Sequence, residues 1–171
     1  MTREEELAAF LAIKDELLSL LEPLDEDRMN AVPFAGSWTA GQLGDHLLKS
    51  YELVDWPKVK GAPAGRPVEA KSGAIDAVFS DYTKKYQPPG AVVPSSERIP
   101  GRMLVERLRN ASEGIAAFVK GNDLGFTCAE FEVIGFGDLT AQEWIHFLTA
   151  HSRRHVRQLR AILGGGPLFT P

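Results

Sequence analysis

Three times in this chain a threonine is followed, three positions on, by glutamate or glutamine at the head of an apolar run: Thr2 with Glu5, Thr39 with Gln42, and Thr140 with Glu143. Each pair is a capping box, in which the hydroxyl takes a first-turn N–H and the longer side chain reaches back to the threonine N–H. Three such starts commit much of the chain to helices. From Thr2 to about Leu21, the residues Leu7, Phe10, Leu11, Ile13, Leu17, Leu18 and Leu21 keep a helical period, and Pro23 with Asp25-Glu26-Asp27 marks the end. The second helix is expected from Thr39 to about Trp56, because Pro57 disfavours helical geometry just before it. Its stripe is Leu43, Leu47, Tyr51 and Val54.

A third helix is expected from Gly101 to Lys120, with Met103, Leu104, Leu108, Ile115, Ala116 and Val119 inward and Gly121-Asn122 as its stop. The last runs from Thr140 to about Leu163, ended by Gly164-Gly165-Gly166. Residues 57–73 and 87–100 are rich in proline and glycine and read as loops, with a short helix from about Ala74 to Lys85 between them. Residues 122–139 read as an ordered connection with extended pieces. Four long helices and no convincing strand set predict an all-α four-helix bundle, one domain spanning residues 1–171. A chain of this size buries roughly 70% of its unfolded surface, enough for one core.

Composition matters mainly for what it excludes. A net charge of −4 predicts neither nucleic acid nor an anionic membrane as partner. No run of about 18 apolar residues is present, so no membrane span is expected. The N-terminus is charged and lacks the apolar stretch of a secretory signal. The single cysteine, Cys128, has no intrachain partner, which suits a reducing cytoplasm, and reads as a small buried hydrophobe.

The chemistry-bearing pattern is in the histidines. There are four, and His146, His151 and His155 all lie in the last helix. At about 100° per residue, His151 and His155 lie about 40° apart and share a face, while His146 is about 140° from His151. Leu148, His151, His155, Leu159 and Ile162 form the inward stripe, opposite Arg153, Arg157 and Arg160. Two imidazoles one turn apart thus interrupt an apolar face. A buried ring must be hydrogen-bonded or desolvated at a cost of a few kcal/mol. A divalent metal resolves this by taking a neutral nitrogen lone pair from each ring. His46 borders the second helix's stripe and is available as a third ligand if that helix lies against the last. The alternative is that all three are ordinary core histidines. His146 reads as a surface or supporting residue, the arginines as a solvated helix end, and Trp38 and Trp144 as staples for helix entries.

Two stretches resemble the signatures of the DinB-like family. One is Pro33-Phe34-Ala35-Gly36-Ser37-Trp38-Thr39-Ala40-Gly41-Gln42-Leu43-Gly44-Asp45-His46-Leu47. The other leads from Leu139-Thr140-Ala141-Gln142-Glu143-Trp144-Ile145 into His151-Ser152-Arg153-Arg154-His155-Val156-Arg157-Gln158-Leu159. The resemblance implies a four-helix bundle with His46, His151 and His155 as ligands to zinc or nickel, water completing the site, and a homodimer. Characterised members include thiol-dependent S-transferases, a maleylpyruvate isomerase that uses a low-molecular-weight thiol, and enzymes resembling metal-dependent hydrolases. The expected function is therefore a metal-dependent enzyme acting on a small molecule, with S-transfer ahead of hydrolysis. The competing readings are a non-catalytic, metal-stabilised binding module and a metal-free helical interaction domain.

Overall fold

The computed structural model describes residues 1–133 and 135–165, with the side chains of 129–132 outside the described set. Within it lie six helices and a small antiparallel sheet: α1 (Arg3–Leu21), α2 (Glu26–Asn30), α3 (Ala40–Tyr51), β1 (Gly61–Pro63), α4 (Ser72–Phe79), α5 (Gly101–Gly121), β2 (Phe126–Val133), β3 (Gly137–Thr140) and α6 (Ala141–Leu163). A single 3-10 turn covers Gly90–Val92. All three capping boxes form with both reciprocal hydrogen bonds.

The four long helices pack as neighbours, α6 on α1 and α3, and α5 on α3 and α1. Their apolar stripes meet in one core, in which Phe10, Leu17, Leu43, Leu47, Leu108, Ile115 and Leu159 are fully buried. Each such side chain stabilises the fold by about 1.5–3 kcal/mol relative to exposure. Gly44 lets α5 come close to α3, since a Cβ there would lie 2.8 Å from Leu104 Cδ2. Met103, expected in the α5 stripe, is 60% exposed, because Leu104 starts the inward series instead.

Several boundaries differ from expectation. The second helix stops at Tyr51 rather than Trp56, and the Trp56 indole N–H donates to Tyr51 O, satisfying a terminal carbonyl. α2 forms where a helix end was expected, started by the Asp25 carboxylate accepting from Arg28 N. The short helix is α4, shifted toward the N-terminus of the expected 74–85 span. α6 ends at Gly164 and Gly165; Gly166 lies outside the described residues.

The sheet was not anticipated as a set. β2 pairs with β1 on one side and β3 on the other, with Gly61 opposite Cys128 and Val133 opposite Gly137. A Cβ on Gly61 would fall 1.8 Å from Thr127 O, so glycine permits this approach. Cys128 is fully buried, as expected for a small hydrophobe. β3 runs directly into α6, so the sheet sets where α6 starts. No described helix is long and apolar enough to cross a membrane.

Candidate metal centre

α3 and α6 bring His46, His151 and His155 together. His151 Nε2 lies 3.1 Å from His46 Nε2 and 3.0 Å from His155 Nε2. One ligating nitrogen from each ring fits within a 4.8 Å spread. The rings stand steeply to one another, at interplanar angles of 68° to 87°. All three are buried.

The tautomers follow from what lies behind the rings. His46 Nδ1 is 2.7 Å from Val92 O, and a carbonyl can only accept, so Nδ1 carries the proton. His155 Nδ1 donates to Gln158 Oε1 at 2.9 Å. Both Nε2 atoms therefore present lone pairs, and both face His151 Nε2. A neutral His151 has one proton and cannot satisfy both rings and its own Nδ1, which is buried without a partner. Protonating the cluster is opposed as well. Burial lowers the pKa of His46. Burial and the neighbouring rings hold His151 well below the imidazole range, and burial first, then His46, takes His155 down to about 3. Three neutral nitrogens aimed at one point are a donor set for a divalent cation.

Val92 reaches His46 because α3 grips its segment along one face. Gln42 Nε2 donates to Ser95 O at 3.1 Å, the Asp45 carboxylate accepts from Ser95 N at 2.8 Å, and Lys49 Nζ donates to Val93 O at 2.8 Å. Asp45 also pairs with Lys49 at 2.8 Å, so this carboxylate is committed to the loop.

Aromatic rings wall the cluster. Phe147 stacks on His151 at 5.3 Å and 10°, and Phe79 from α4 meets it edge-on at 5.5 Å. Trp38, just before α3, packs against the core as expected and also lies over His46 and His155. Trp144 is fully buried against Phe147.

A model of the DinB superfamily matches residues 9–159, which takes in all three histidines. The chain belongs to the DinB superfamily. Among curated proteins it is similar to the Uncharacterized protein YuaE of Bacillus subtilis (strain 168), 23% identical over 160 residues that cover 91% of this chain and 96% of that one. No solved structure matches.

Two expectations for this DinB-superfamily chain need correction. His146 is no surface residue: it is 8% exposed, with Nδ1 3.0 Å from Glu6 Oε1. Glu6 signalled this in the sequence, since it precedes Phe10, Ile13 and Leu17 at helical spacing, but as a first-turn acid it reads as a dipole partner. Arg154 is not part of a solvated helix end. It is 8% exposed and donates to Asp81 O at 2.8 Å and to Lys84 O, tying the segment after α4 to α6. Gln158, at i+3 from His155, was recognisable by spacing. The Val92 carbonyl was not, because a backbone acceptor leaves no mark in a sequence.

Proposed function

We propose that this chain is a metal-dependent enzyme, its divalent ion held by Nε2 of His46, His151 and His155 in the four-helix bundle of its superfamily. The observation that carries the reading is the forced convergence of lone pairs: His46 and His155 have their protons committed to Val92 O and Gln158 Oε1, so both Nε2 atoms face His151. Zinc or nickel suits a neutral imidazole set. When bound, such an ion supplies Lewis acidity and lowers the pKa of a coordinated water or thiol.

What this chain's own residues contribute is orientation and dryness. Val92 O and Gln158 fix two ring tautomers, while Trp38, Phe79 and Phe147 exclude water from the cluster. Among the described residues no carboxylate hydrogen-bonds these rings, and Asp45 is committed to Ser95 and Lys49. A thiol ionises near a pKa of about 8.5, so it needs less help from a base than water does. This favours transfer to or from a small-molecule thiol over hydrolysis, in line with the family resemblance. We place the enzyme in the cytoplasm, as one domain and as a homodimer, whose mass in solution should be twice that of the chain.

Metal analysis of the untagged protein is the direct test. Stoichiometric zinc or nickel is expected, and none after incubation with either ion would refute the site. Gln158→Ala should lower affinity by roughly 10- to 100-fold, as loss of a hydrogen bond behind a ligand does. Retained affinity would mean that Gln158 does not orient His155. Because burial keeps the rings neutral into acid, metal affinity should hold as pH falls through about 6.5, where ordinary imidazoles protonate. A midpoint of release at that ordinary value would show rings exposed to solvent.

A further inference from the structure

His146 sits in α6 five residues before His151 and takes no part in the cluster. Its ring lies between carboxylates from two other elements. Nδ1 is 3.0 and 3.2 Å from the two oxygens of Glu6 in α1, and Nε2 is 3.1 Å from Asp76 Oδ1 in α4. The Glu6 side chain is 1% exposed and that of Asp76 52%. These are the charged groups that bear on the ring from α1 and α4; among the described residues α3, β3 and α6 itself supply none. We infer that Glu6, His146 and Asp76 form a proton-operated clasp that holds α4, and with it the Phe79 wall of the histidine cluster, against α1 and α6.

The clasp works because an imidazolium has two N–H groups and a neutral imidazole has one. Glu6 is buried, and stripping its donor would leave an unpaired carboxylate in the core, the costlier loss. The last proton therefore stays on Nδ1. Nε2 then turns a lone pair toward Asp76, and an attraction becomes a repulsion. Nε2 is buried and makes no aligned hydrogen bond, so its tie to Asp76 is one of charge, and nothing else is placed to replace it. Asp76 is half-exposed and can turn to water. Ile75 keeps α4 seated in the core, but the helix loses its charged tether.

Phe79, one turn further along α4, lies 5.3 Å from Phe147 and 5.5 Å from His151. Loosening α4 therefore loosens the wall. The direction with pH follows from the geometry and is reinforced by the Glu6 hydrogen bond, which raises the His146 pKa against the opposing effect of burial. The tether is complete below the ordinary imidazole pKa of about 6.5 and is lost as pH climbs through the raised folded value. The clasp needs no metal; only its effect on access to the cluster rests on the metal reading.

The test uses the full-length chain, metal-free, so its outcome is independent of metal binding. Amide exchange across 72–79 is followed from about pH 6 to about pH 9, corrected for intrinsic rates, beside the NMR titration of the His146 ring. Protection of α4 is expected to fall roughly two- to fivefold, the size of a half-exposed ion pair, with the midpoint of the ring titration. Amides of α5 should keep theirs. Asp76→Asn should stay folded and lose the step. A ring titration without a step, an equal step in α5, or an unchanged step in Asp76→Asn would each overturn the clasp.

Discussion

His151→Leu is expected to abolish measurable binding of a divalent ion while leaving the metal-free protein as stable as before, or more so. His151 Nε2 lies 3.1 and 3.0 Å from the Nε2 atoms of His46 and His155, so its loss leaves two candidate donors with no third. Affinity should fall by more than the roughly 10- to 100-fold lost with a supporting hydrogen bond. Stability should move the other way. In the metal-free chain the Nδ1 of His151 is buried without a partner, and its Nε2 faces two lone pairs. An unsatisfied buried polar group costs about 1–3 kcal/mol, and leucine of similar bulk removes it. Competition with a chromophoric chelator reads the affinity, and urea unfolding reads the stability. If His151→Leu lost several kcal/mol, the histidines would be core packing and the metal reading would fail.

Glu143→Ala should be among the most destabilising single changes in the chain, by about 3 kcal/mol, the lower end of the loss when a buried ion pair loses one partner, since the Arg66 side chain is 23% exposed. The Glu143 side chain is fully buried and gathers four donors. Arg66 forks onto it with both contacts at 2.7 Å, Lys71 N donates at 2.7 Å, and Thr140 N at 2.9 Å. One carboxylate thereby closes the α6 capping box and ties the segment leading to α4 onto α6. Removing it leaves the Lys71 N–H without its acceptor and leaves the Arg66 guanidinium only the Pro67 and Asp138 carbonyls. Arg66→Ala alone should cost less, since two backbone donors still satisfy the acid. Burial would raise the Glu143 pKa, but the Arg66, Thr140 and Lys71 hydrogen bonds outweigh it and hold the value below the usual range. Its stabilising contribution is therefore present above a pH of about 4.3 and is lost only as pH falls through the lower folded value. A chemical midpoint for Glu143→Ala close to that of the parent chain would contradict this role.

Both predictions start from residues that stand out in the sequence for different reasons. Glu143 is legible as the third member of a capping box, yet nothing local says that Arg66, 77 positions earlier, completes its environment. His151 and His155 are legible as a pair because helical spacing is rigid over one turn. His46 is legible as a candidate because it borders an apolar stripe, but its distance from the pair depends on how α3 meets α6. The same holds for His146. Its angle on the helix correctly sets it apart from His151, but the angle alone reads as exposure. Its burial follows from Glu6 and Asp76, which come from α1 and α4. The β1–β2–β3 sheet escaped because β1 is three residues long and pairs with a strand more than 60 positions away.

The sequence by itself determined the four long helices, the capped starts of three of them and most of the face each one buries. These depend on contacts three or four residues apart, where backbone geometry leaves little choice. Only the tertiary structure decided that three histidines share one point, that a carbonyl from a proline-rich loop and a glutamine orient two of them, and that the fourth is held between two carboxylates. Those outcomes depend on distances between elements far apart in the chain, which are set when side chains of the whole core pack at once.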